Sequence, residues 1–330
     1  MPLNQLARDV STPPDCKLRR AFCVWSDLLG FGRPFSDNGW NPDAEVWRQQ
    51  AIRAGNAYRA QCRFMPGLDG SYMLLLNDGM VRALPWSEPL GPADLGLWLR
   101  AAIQGHFEVR RAEFDKGLPG PRTVLSSGWT AEHSFSEVRM DDLVFDYTRQ
   151  QPGLSKLAEA TGNPVLVSNP VQLQLNTAFS RAFLLDEGGK LAGLPGPCVY
   201  IDSQFLDDVT ALFKDRDDFR VSRWTRENDI VYAVEHREPP RQSSPIVPSE
   251  VLTKDAWNAR CAEEARLAAE RGYLELPQGS GRDPWAFGFL LEKTAIEVNL
   301  PNLRTIVYRA LGFFPHDEDP SEFMFELWPV

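Results

Sequence analysis

FCVWSDLLGF, residues 22–31, changes character within its own length. The apolar run over residues 21–25 has the size and composition of a buried strand, and Ser26-Asp27 ends it. Gly30, Gly32 and Pro34 then break the chain, so Asp27 is expected at a strand end with a Gly-containing turn behind it. A carboxylate so placed suits a metal–triphosphate site: it holds the cation, while the backbone N–H groups of Gly30, Phe31 and Gly32 face phosphate oxygens. A partner acid is available further on. Strand-like residues 72–76 and 80–84 flank Asn77-Asp78-Gly79, the signature of a tight hairpin with Asp78 at its tip. The order strand, helix, hairpin brings the two acids onto adjacent strands, the donor set for two hard cations bridged by two carboxylates. Either Asp alone is ordinary turn chemistry. The joint pattern carries the reading.

Around that core the chain alternates strands and helices. Asn41-Pro42, followed by Asp43 and Glu45, starts a helix that runs to about residue 63. Leu95, Trp98, Leu99, Ala102, Ile103 and Phe107 mark the apolar face of another. Strands follow at residues 122–127, 165–167 and 198–201, and helices at about 171–186 and 204–213. Residues 219–224 and 230–234 read as an antiparallel pair. Mixed strands and helices to about residue 237 predict an α/β or α+β domain. Residues 238–249, rich in Pro and Ser, read as a linker, and 250–330 as a mainly helical C-terminal extension with helices over 251–271, 284–297 and 301–311.

Composition narrows the functional classes. The 330 residues carry 35 Lys plus Arg against 45 Asp plus Glu, a formal charge of −10. That balance argues against a DNA or RNA coat, which needs a dense basic footprint. It leaves room for a small anionic substrate whose phosphates are screened by metal. No apolar run approaches the roughly 20 residues of a membrane span, and no secretory signal is visible, which predicts a cytoplasmic protein. The five scattered cysteines lack a C-x-x-C and read as reduced thiols; the four histidines lack metal-ligand spacing. The acidic pairs Asp141-Asp142, Asp207-Asp208 and Asp217-Asp218, the 117–121 Gly/Pro connector and the acidic run at 316–319 read as structural.

In these motifs the sequence resembles the class III nucleotidyl cyclase catalytic domain. Residues 22–31 look like that family's first strand, which ends in D-x-x-G-F, and LLLNDGMVR (74–82) like its metal-binding hairpin. RTVLSSG (122–128) is similar to its R-x-G-I-x-x-G strand, and AFSRAFLLD (178–186) with Val199-Tyr200-Ile201-Asp202 to its late helix and following strand. The resemblance covers about residues 20–215 in order. It implies an α+β fold, an α/β sandwich with a ferredoxin-like, palm-type core. It also implies that Asp27, with the adjoining Leu28, and Asp78 hold two Mg²⁺ or Mn²⁺ ions and a nucleoside triphosphate. The implied products are a 3′,5′-cyclic nucleotide and pyrophosphate, made by a homodimer whose two sites are shared between subunits.

The departures from the family refine that expectation. Conventional purine cyclases carry Lys or Glu four residues before the second Asp; Leu74 stands here. The late helix of the family carries N-x-x-x-R for the transition state, whereas Asn176 and Arg181 are five positions apart, so one is displaced or the pair is not equivalent. If both face the α-phosphate, Arg181 supplies the charge; Arg33, just after the turn, is an alternative phosphate contact. With no sensor domain and no purine-reading residue, the sequence looks like the pyrimidine cyclases of bacterial Pycsar anti-phage systems. That implies UTP or CTP as substrate and a separate effector protein for the product. Tyr72, an even number of residues before Asp78, is the candidate base contact beside Leu74, or else an ordinary half-buried strand aromatic. A purine cyclase and a degenerate homologue that binds without turnover are the alternatives.

Overall fold

Strand β1 (Lys17–Leu28) is the axis of the sheet. The computed structural model describes residues 17–62, 68, 71–87, 90–132, 173, 175–217, 219–225, 229–236, 287–314 and 325–326. On one side β1 pairs antiparallel with β3 (Gly79–Pro85), itself hairpinned to β2 (Tyr72–Leu76). On the other it pairs over its full length with β4 (Pro121–Glu132), which extends both strands beyond their apolar centres. Between these strands run α1 (Arg33–Asp37), α2 (Ala44–Cys62) and α3 (Pro92–Phe114). The spatial order β2-β3-β1-β4, with helices after β1 and β3, is the split β-α-β arrangement of a ferredoxin-like core.

Helices cover both faces because β1 alternates inward residues on each side. Phe22 and Val24 pack with Leu95, Trp98 and Leu99 of α3 and with Phe205 and Val209 of α5 (Ser203–Phe213). Cys23 and Trp25 face α4 (Thr177–Gly188), whose Ala178, Ala182 and Leu185 are wholly buried. The protein is thus a mixed α/β sandwich with one large sheet. Beyond β4 the sheet continues through β5 (Val199–Asp202), which runs parallel to β4. No helix among the described residues is long and apolar enough to cross a membrane.

The C-terminal part departs from expectation. Residues 287–314 form β8 (Phe287–Glu292), β9 (Ile296–Leu300) and β10 (Leu303–Phe314), where helices over 284–297 and 301–311 were expected. β10 and β8 fill the sheet between β5 and the hairpin of β6 (Phe219–Thr225) and β7 (Asp229–His236), and the short β11 (Phe325–Glu326) adds to β10. The physical reason is the residue type. Ile296, Val298, Thr305, Ile306, Val307 and Tyr308 are β-branched or aromatic, and a nearly continuous apolar run reads equally well as helix until those residues are weighed. The described part of the extension is therefore strand, not helix. The expected strand at 165–167, the linker at 238–249, the helix at 251–271 and the acidic run at 316–319 lie outside the described residues.

Candidate active site

Pairing places Asp27 between two informative neighbours: it sits opposite Gly79 of β3 and opposite Arg122 of β4. The Leu28 N–H donates to the Asp78 carbonyl at 3.3 Å, so the two predicted acids meet where β1 ends against the hairpin tip. In the hairpin Asn77 takes the left-handed conformation, at φ 53°, and its Nδ2 donates to Asp78 Oδ1 at 2.9 Å. Gly79 serves another purpose. A Cβ there would come within 2.5 Å of the Trp25 ring, so glycine lets Trp25 lie across the seam next to both acids.

Behind Asp27 the chain turns tightly, with Gly30 at φ 69°. The Phe31 N–H donates back to the Leu28 carbonyl at 3.2 Å and Arg33 N–H to Gly30 at 3.3 Å. Of the three amides expected to face phosphate, that of Phe31 is therefore committed to the turn, and its ring is buried beside Leu28. The Gly30 and Gly32 amides donate to no group among the described residues. Arg33 is exposed at the start of α1, 3.5 Å from Asp37.

Three further charged residues converge here. Asp186, near the end of α4, accepts from Trp25 Nε1 at 2.9 Å and from Arg122 Nε at 2.5 Å, while its carbonyl accepts from Arg122 Nη2 at 2.6 Å. Arg53 of α2 reaches the Leu29 carbonyl at 2.9 Å. Burial, with the Asp186 and Asp78 carboxylates adding to it, pushes the Asp27 carboxyl up to about 7 against the opposing pull of Arg122 and Arg53. Burial also raises Asp78, opposed by its own backbone N–H and by Asn77. No described residue donates a hydrogen bond to the Asp27 carboxylate. Two half-buried carboxylates without enough local cation form a hard-oxygen donor set, and one or two carboxylates completed by substrate phosphates is how Mg²⁺ is usually held. Asp27 and Asp78, with the Leu28 backbone, fit divalent metal in that sense; the described residues contain no self-sufficient cluster of three or more protein ligands.

The other predicted residues lie elsewhere. Asn176 is the N-cap of α4, its Oδ1 accepting from Phe179 N–H at 3.0 Å. Arg181 is engaged within the chain: its guanidinium is 2.6 Å from the fully buried Asp202 and donates to Thr305 Oγ1 of β10 at 3.2 Å. Tyr72 shares the α4 face with Trp25 but is buried in the core cluster there, with Leu74 partly buried against it. Sequence reasoning did not single out Asp186, Arg122 or Arg53. The first two stood inside quoted motifs, as the last residue of AFSRAFLLD and the first of RTVLSSG; Arg53 carried no signal at all.

No family model and no curated protein matches the sequence. Several solved structures do. The chain is similar to the guanylyl cyclase Cya2, with 14% identity over 70% of this chain and 98% of that one at a TM-score of 0.33. It is similar to the adenylyl cyclase CyaB from P. aeruginosa, with 11% identity over 70% and 100% and a TM-score of 0.34. The non-canonical dimeric guanylyl cyclase domain of the RhoGC fusion protein from the aquatic fungus Blastocladiella emersonii matches at 11% identity over 68% and 99%, TM-score 0.32.

Proposed function

We propose that this chain is a metal-dependent nucleotidyl cyclase that converts a nucleoside triphosphate to its 3′,5′-cyclic nucleotide and pyrophosphate. One observation carries the reading: Asp27 and Asp78, 51 positions apart (78 − 27), converge at one strand end beside a turn with two uncommitted glycine amides. Asp27 and Asp78 would hold divalent cations, which would supply Lewis acidity at the 3′-hydroxyl and neutralise charge on the triphosphate. The protein's own part is binding and orientation. Asp27 and Asp78 fix where the charge sits, the Gly30 and Gly32 amides donate to phosphate oxygens, and Arg33 stands exposed beside them. The ribose 3′-oxygen then bonds to the α-phosphorus as the bond to the leaving pyrophosphate breaks, and the hydroxyl proton passes to solvent.

The finer reading is a pyrimidine cyclase using UTP or CTP, whose product signals through a separate effector in anti-phage defence. It is supported by Leu74, which has no group to read a purine; Tyr72, buried in the core, adds nothing to it. The enzyme is read as a head-to-tail homodimer whose two sites are shared between subunits. A second reading, a homologue that binds nucleotide without turnover, is favoured by one specific observation, the engagement of Arg181 with Asp202 and Thr305. Assay of the wild-type chain separates the two, since only a cyclase turns over, and Arg181→Ala then tests the residue itself. On the cyclase reading it lowers kcat by about 10²-fold or more while triphosphate affinity changes little; an active enzyme with unaltered kcat removes Arg181 from the site.

A further inference from the structure

The turn that follows Asp27 is held from behind by a buried ion pair. Arg53 of α2 and Glu113 of α3 are each about 5% exposed, and Arg53 Nε donates to Glu113 Oε2 at 2.7 Å. The same guanidinium donates through Nη2 to the Leu29 carbonyl at 2.9 Å and lies 5.8 Å from the centroid of the Phe31 ring. Packing alone does not require this pair, because an ion pair in such a place is often replaceable by apolar side chains at no cost in stability. What an apolar pair would not supply is the bond to Leu29.

That bond has a directional consequence. The peptide unit joining Leu29 to Gly30 is planar and trans, so its C=O and N–H point in opposite directions. Holding the Leu29 carbonyl toward Arg53 therefore aims the Gly30 N–H away from the α2–α3 seam. The Leu29 N–H, tied to the Gly120 carbonyl at 3.1 Å, fixes the preceding peptide unit as well. We propose that Arg53, oriented by Glu113, is a positioning residue that sets the Leu29–Gly30 peptide plane so that the Gly30 N–H faces the triphosphate. The proposal rests on the triphosphate-binding reading of this turn.

Arg53→Lys tests it, because a lysine keeps the charge but does not hold Glu113 and the Leu29 carbonyl in one rigid fork. Glu113→Gln is the companion, keeping a neutral partner of the same shape. In Arg53→Lys, KM for the triphosphate rises about ten-fold while kcat stays within about three-fold, the size of one lost charge-assisted hydrogen bond. Amide exchange across residues 29–33 accelerates, exchange in β1 does not, and inorganic triphosphate with Mn²⁺ no longer protects Gly30. Glu113→Gln gives the same pattern, more weakly. An unchanged KM with unchanged exchange at 29–33 overturns the proposal, and so does a loss that follows a lowered melting temperature across the whole molecule. Should the wild-type chain make no cyclic product, the cyclase reading fails on its own. The exchange and triphosphate-protection results then still decide the role of Arg53.

Discussion

Asp27 carries the electrostatic tension of the site. Its carboxyl is raised to about 7 chiefly by burial, so the folded chain holds a proton that the unfolded chain loses near pH 4, the ordinary Asp value of about 3.9. The stability Asp27 contributes is complete below that pH and is lost as the pH climbs through about 7. Metal competes with the same proton, so Mn²⁺ affinity should rise with pH over this window. The melting temperature of the metal-free protein is expected to fall between pH 5 and pH 8, and Mn²⁺ to restore it at pH 8; identical midpoints with and without Mn²⁺ at pH 8 would refute the assignment. Asp27→Asn should raise the metal-free midpoint at pH 8 and lower turnover by about 10²–10³-fold or more. Asp27 and Asp78 were legible because a strand-end acid and a hairpin-tip acid each sit in a recognisable local pattern. Asp186 and Arg53 were not, since what makes them matter is tertiary. A helix end and a helix middle are brought against β1 by packing that no local spacing encodes.

Among the elements, the β2–β3 hairpin and the C-terminal strands teach opposite lessons. The hairpin was readable from Asn77-Asp78-Gly79, yet the role of the glycine was not. Turn chemistry assigns it to the bend, whereas Asn77 takes the left-handed φ and Gly79 makes room for Trp25. Gly79→Ala is accordingly expected to cost about 1–3 kcal/mol by overpacking. A drop in melting temperature with a shift in tryptophan emission would show it; an unaltered midpoint would contradict the packing account. The strands over 287–314 were misread as helices. In β8 and the later part of β10 the apolar positions are buried on both faces, which erases the period-2 alternation that marks a half-exposed strand; β9 keeps it, with Val298 buried between exposed Glu297 and Asn299.

At the scale of the whole molecule, those strands make the sheet one unit. β10 pairs with β5 on one side and β8 on the other, and β8 pairs with β7. Ending the chain at residue 237 would leave the edges of β5 and β7 bare, and exposed strand edges invite association. The 1–237 fragment should therefore aggregate or unfold without cooperativity, and a monomeric fragment with a sharp thermal transition would disprove this dependence. Charge acts at the same scale. A chain of net charge −10 recruits a triphosphate only where cations stand between its acids and the phosphates, so the account stands or falls on metal-dependent turnover. The direct measurement is incubation of the purified chain with ATP, GTP, CTP and UTP in turn, with and without Mn²⁺, and identification of the products. The account predicts a 3′,5′-cyclic pyrimidine nucleotide and pyrophosphate only when Mn²⁺ is present. Cyclic purine alone would contradict the substrate assignment, and no cyclic product from any of the four would contradict the central claim.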